Sequence, residues 1–152
     1  MRIDLNSVPV ETGTTYPDSF RAFVSGRSRQ RVGNAAGLKN FGVNLTTLQP
    51  GSQSALRHWH SAQDEFIYVV TGELVLITEQ GEQTLKPGDM AGFPAGVEDG
   101  HHLVNRSVTA ATYLEIGDRT KPDTANYPDQ DLVCMPSETG NTQFIHKDGR
   151  PY

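Results

Sequence analysis

Cysteine is nearly missing from this chain: Cys134 is the single one in 152 residues, so no internal disulfide can form. No apolar run approaches the roughly 20 residues that a membrane-spanning helix requires, and the opening stretch MRIDLNSVPV lacks the apolar core of a secretory signal. These absences predict a cytoplasmic, reducing setting and no membrane partner. Basic clusters are missing too. Thirteen Lys and Arg stand against 18 Asp and Glu, a net charge of −5 with no long basic run, which argues against nucleic acid as a partner. Two matches to the glycosylation sequon, Asn44-Leu45-Thr46 and Asn105-Arg106-Ser107, carry no weight without export.

Helical periodicity is scarce, and short period-two segments take its place. From Phe41 the pattern runs Phe41, Val43, Leu45 with polar or small residues between, and Pro50-Gly51 then marks a turn. Strand signals recur at Leu56 to His60, Glu65 to Thr71, Leu74 to Glu79, Glu82 to Lys86, Met90 to Phe93, His101 to Asn105 and Ala111 to Ile116. Thr71-Gly72-Glu73, Gln80-Gly81, Pro87-Gly88-Asp89 and Pro94-Ala95-Gly96 separate them. Many short strands between Gly and Pro turns predict an all-β sandwich or barrel, and 36% hydrophobic residues suffice to fill one core. Residues 1–30 hold no sustained period and read as an N-terminal arm that crosses the barrel or a partner subunit. Residues 118–152 read as a C-terminal extension that adds a strand or closes one barrel mouth.

The strongest functional signal is a pair of histidine clusters within the strand-rich middle. Alternate strand residues share a face, so His58-Trp59-His60 aims both imidazoles one way and Trp59 the other. Glu65 and a third imidazole from His101 or His102 would complete a set of three nitrogens and one oxygen, suited to a divalent transition metal such as Fe, Mn, Ni, Co or Zn. An inward carboxylate among inward imidazoles needs a cation to offset its desolvation.

These residues resemble the two motifs of the cupin superfamily. Gly51, His58, His60, Glu65 and Gly72 match the first, and Gly88, Pro94, Gly96, His101 and Asn105 match the second. Two spacings are longer than in the family pattern: six residues between Gly51 and His58, and four between Gly96 and His101. Counting back from Asn105 selects His101 as the third imidazole, with His102 as the alternative. The resemblance covers residues 40–117 and implies a double-stranded β-helix, the small cupin jelly roll, over residues 31–117. It also implies a metal and a small ligand. It does not select the chemistry, since the superfamily includes isomerases, lyases, dioxygenases and non-enzymatic binders.

Further candidates lie outside the motifs. Tyr68 and Tyr113 are candidate hydrogen-bond donors or proton carriers in the cavity. Glu115 shares a strand face with Tyr113 and Ala111; facing inward it is a candidate base, facing outward a solvated carboxylate. Arg27, Arg29 and Arg31 alternate along one predicted strand and form either an anion clamp or a solvated edge. The expectation is a metal-dependent cupin enzyme, an isomerase or lyase such as a sugar-phosphate isomerase, or a dioxygenase, acting on a small polar metabolite. The rival is a non-catalytic small-ligand-binding or sensing cupin. A homodimer is the expected assembly, its sheet edges covered by the N-terminal arm.

Overall fold

Period-two segments become antiparallel strands, each ended by one of the Gly or Pro turns. The structure, a computed structural model describing residues 2–152, forms β1 (Glu11–Thr12), β2 (Arg27–Gln30), β3 (Phe41–Leu48), β4 (Trp59–His60), β5 (Glu65–Thr71), β6 (Leu74–Thr78) and β7 (Gly81–Leu85). These are followed by β8 (Met90–Phe93), β9 (His102–Val104), β10 (Ala111–Asp118), β11 (Ala125–Tyr127), β12 (Leu132–Pro136) and β13 (Thr142–Ile145). One wall is a six-stranded sheet ordered β1-β2-β3-β10-β5-β8. The other combines β7-β6-β9 with β13-β12-β11-β4, and single bridges His58–His101 and Gln53–Val104 tie the chain leading into β4 to the β9 strand. The architecture is the all-β double-stranded β-helix that the sequence predicts.

Strand phase decides which residues reach the interior. On β5, Ile67 and Val69 are buried, whereas Phe66 and Val70 remain 40% and 39% exposed, so Glu65 shares the inward phase. Ala111 and Tyr113 set the same phase on β10 and turn Glu115 inward. Leu48, Val69, Leu74, Leu76, Leu103 and Tyr113 belong to one packed cluster. Each such apolar side chain is worth about 1.5–3 kcal/mol of burial. At the turn from β5 to β6, Gly72 has φ +75°, and a Cβ there would lie 2.7 Å from Ala111 Cα, so both backbone and space demand glycine.

The segments flanking the barrel motif contribute strands of their own. β2 pairs with β3 and β1 with β2, so the N-terminal arm covers the β3 edge of its own chain. β11 pairs with β4, which places the C-terminal segment directly beside His60. Tyr16, Val24, Leu56, Tyr127 and Leu132 pack into a second cluster that pins both segments to the barrel. Among the described residues, no helix is long and apolar enough to cross a membrane.

Candidate metal centre

Four motif side chains converge from three parts of the chain. His58 and His60 flank Trp59 on the ligand strand, Glu65 opens β5, and His101 sits across a backbone bridge from His58. Three imidazole Nε2 atoms surround one carboxylate oxygen: Glu65 Oε2 lies 3.7 Å from His58, 3.7 Å from His60 and 2.9 Å from His101. The ligating atoms of His58, His60 and Glu65 all lie within 4.8 Å of one another, and His101 joins them through its contact with Glu65. His102 turns away, its Nδ1 donating to the Ala55 carbonyl at 2.9 Å.

Hydrogen bonds behind the rings set the protons. His58 Nδ1 donates to the Leu56 carbonyl at 2.8 Å, and His60 Nδ1 donates to the Asp123 carboxylate at 2.6 Å. Both acceptors can only accept, so each Nε2 keeps its lone pair toward the cluster. Burial, aided by the neighbouring imidazoles, holds His58 down to about 4 against the pull of Glu65, so the ring is neutral at pH 7. Burial pushes the Glu65 carboxyl up, but the His101 hydrogen bond and the charges of His58 and His60 prevail and bring it to about 2. A carboxylate among three imidazole nitrogens is the donor set a divalent transition metal takes, and these residues fit one. Behind His101, the Phe93 ring stacks in parallel at 3.5 Å, and His101 Nδ1 is buried without a hydrogen-bond partner among the described residues.

The cluster forms one wall of a cavity of about 550 Å³, and Arg27, Arg29, Arg31, Tyr113 and Glu115 line the same cavity. Arg27 is buried, its guanidinium donating to the backbone carbonyls of Ser54 and Gly13. Arg29 pairs with Glu115 at 3.4 Å, while its Nε–H is buried with no acceptor among the described residues. Arg31 pairs with Glu11 at 2.7 Å where both are half exposed. Glu115 also accepts from Asn44 at 3.1 Å and lies 3.4 Å from the Tyr113 hydroxyl. Burial raises Tyr113 well above the usual phenol range, so its proton stays in place.

A family model described as a cupin domain matches residues 44–117. A sugar phosphate isomerase from a cupin superfamily, from Silicibacter pomeroyi DSS-3, aligns over 100% of this chain and 96% of its own, at 46% identity and a TM-score of 0.96. The chain belongs to the cupin superfamily. A provisional sugar phosphate isomerase from Acidithiobacillus ferrooxidans ATCC 23270 aligns with this cupin over 83% of its residues and 80% of the other chain, at 28% identity and a TM-score of 0.74. The polyketide cyclase RemF from Streptomyces resistomycificus, at 20% identity and a TM-score of 0.65, shares the fold alone. Among curated proteins none matches this cupin in sequence.

One sequence expectation for this cupin needs correction. Tyr68 does not line the cavity: with Ile67 and Val69 inward, Tyr68 falls on the outer face, opposite Leu114 and Met90 in register. Its strand phase was fixed by Glu65, three residues earlier. Two residues of the cluster's surroundings lie outside every motif. Asp123 holds His60, and Tyr127 stacks on His58 with ring centroids 5.6 Å apart. Both arrive on the β11 segment, where the polar stretch after Asp118 carries no alternation to announce a strand. Arg57, on the reverse of the ligand strand, is tied to Asp129 and Glu79, which holds it high above its ordinary value.

Proposed function

We propose that this cupin is a metal-dependent enzyme that isomerises a small phosphorylated sugar. One observation carries the reading: the His58, His60, Glu65 and His101 cluster and the Arg27, Arg29 and Arg31 stripe line a single cavity of about 550 Å³. That volume falls in the roughly 300–1,000 Å³ range of small-molecule sites. The 46% identity to a sugar phosphate isomerase over the whole chain points the same way, and favours isomerisation over dioxygenase chemistry. A net charge of −5 supports a small-molecule partner over nucleic acid.

His58, His60, Glu65 and His101 would hold a divalent transition metal, which would supply Lewis-acid stabilisation of negative charge on the substrate oxygens. The chain's own residues supply the rest. Arg29 and Arg31 orient the anionic end of the substrate, and buried Arg27 adds positive charge while bracing the wall. Glu115 takes the proton from the hydroxyl-bearing carbon and returns it to the neighbouring carbonyl carbon. Tyr113, whose proton stays in place, donates a hydrogen bond to the substrate oxygens, while the proton leaving the substrate hydroxyl passes to the carbonyl oxygen, so no net proton is gained or lost.

The lone Cys134 supports a reducing, cytoplasmic location. A homodimer is supported by the outer face of the six-stranded sheet, where Phe66, Val70 and Met90 stay exposed to 40%, 39% and 58%.

The test follows metal-loaded protein with a panel of aldose and ketose phosphates in deuterated water by proton NMR, alongside oxygen uptake. Interconversion with deuterium entering the exchanged carbon is the expected result. Oxygen consumption would replace the reading with a dioxygenase, and saturable binding without any product would replace it with a ligand-binding cupin.

A further inference from the structure

The three imidazoles of the cluster differ in what holds them from behind. A neutral carbonyl faces His58 Nδ1, no hydrogen-bond partner among the described residues faces His101 Nδ1, and a carboxylate faces His60 Nδ1 at 2.6 Å. That carboxylate belongs to Asp123, 63 residues along the chain from His60 and outside both histidine motifs. The pairing of β11 with β4 delivers it, with Ala125 opposite His60 and Asn126 opposite Trp59. Its second oxygen accepts from the Ala62 amide at 2.9 Å and the Ser61 hydroxyl at 3.4 Å. Ser61 is itself clamped, its hydroxyl accepting from the Thr124 amide at 2.9 Å and its own amide donating to the Thr124 carbonyl at 2.9 Å. The side chain is only 11% exposed, and among the described residues its ion-pair contact is with His60.

We infer that Asp123 is a positioning residue that makes His60 the strongest nitrogen donor of the centre, so that the C-terminal segment completes the metal site. A carboxylate that accepts from one imidazole nitrogen fixes the tautomer and ring orientation and raises the basicity of the other. A carbonyl does this more weakly, and an unpartnered nitrogen receives no such help. The unequal partners therefore rank the three rings as donors, with His60 first. The inference rests on the metal reading above and can be separated from it.

Two measurements on the full chain do so. In metal-free protein, long-range proton–nitrogen-15 correlation spectra report which nitrogen of His60 carries the proton. In titrations with cobalt(II), the affinity and the visible absorption report ligation. Asp123→Asn leaves one acceptor oxygen for three donors, the Ala62 amide, the Ser61 hydroxyl and His60 Nδ1–H. The expected result is a mixed His60 tautomer and cobalt(II) affinity about 10–100-fold weaker, with folding preserved by circular dichroism. Ser61→Ala, which removes a different bond to the same carboxylate, keeps both the parental tautomer and the parental affinity. Parent protein that takes up no cobalt(II) overturns the metal reading and the inference with it. Parent uptake matched by Asp123→Asn, with an unchanged tautomer, overturns the inference alone.

Discussion

His58 and Glu65 make the metal-free protein acid-sensitive through two shifts of the same sign. The ordinary imidazole value is 6.5, and burial holds His58 near 4, so between these pH values the unfolded chain binds a proton that the folded chain refuses. Stability is therefore complete above about pH 6.5 and falls as the pH drops toward 4. Glu65, lowered from 4.5 to about 2, continues the loss below pH 4.5, because its folded carboxylate must surrender its contacts with the histidines. Melting curves of chelator-treated protein should show this decline, and His58→Gln should flatten the part between pH 6.5 and 4. A flat profile in the parent would contradict the assigned burial of His58. At this scale the sequence was legible for His58, His60 and Glu65, whereas the Asn105 spacing selected His101 with His102 still as the alternative; only the tertiary contacts, His101 with Glu65 and His102 with the Ala55 carbonyl, separate the two. Asp123 and Tyr127 were not legible. Their roles depend on which strand lies beside β4, and no local pattern states that.

Whole elements explain why the arginine stripe was readable as a stripe but not as a site. Alternation placed Arg27, Arg29 and Arg31 on one face, yet only the pairing of β2 with β3 decides that this face borders the cavity. The three then divide by environment: Arg27 is fixed to backbone carbonyls, whereas Arg29 and Arg31 sit in carboxylate pairs that an anionic ligand can rearrange. Replacing Arg29 and Arg31 together by Lys keeps the charge and removes the planar fork. Binding of a sugar phosphate should weaken roughly tenfold or more, as expected when charge-assisted hydrogen bonds are lost. Calorimetric affinity equal to that of the parent would make the stripe a structural edge. The strands from β3 to β10 follow the segments predicted from alternation and turns, whereas β11 spans three residues of a polar stretch and is held by its neighbours β4 and β12.

At the scale of the whole molecule, short alternating strands with Gly and Pro turns made an all-β sandwich or barrel legible, and the resemblance of the histidine motifs to the cupins selected the jelly roll. The assembly depends on surfaces that alternation describes less well. Antiparallel sheets are commonly polar on the solvent side, but here Phe66, Val70 and Met90 are exposed on β5 and β8. Light scattering at micromolar concentration should give a dimer for the parent and a monomer for a Phe66→Asp, Met90→Lys variant that keeps its β spectrum; a monomeric parent would contradict the proposal. The claim on which the rest depends is the metal centre itself, and elemental mass spectrometry of purified protein tests it most directly. The parent should carry about one equivalent of transition metal per chain, His58→Ala, His60→Ala and His101→Ala should lose most of it, and His102→Ala should keep near-parental content. Equal metal content in the parent and all four variants, with the fold intact, would contradict it.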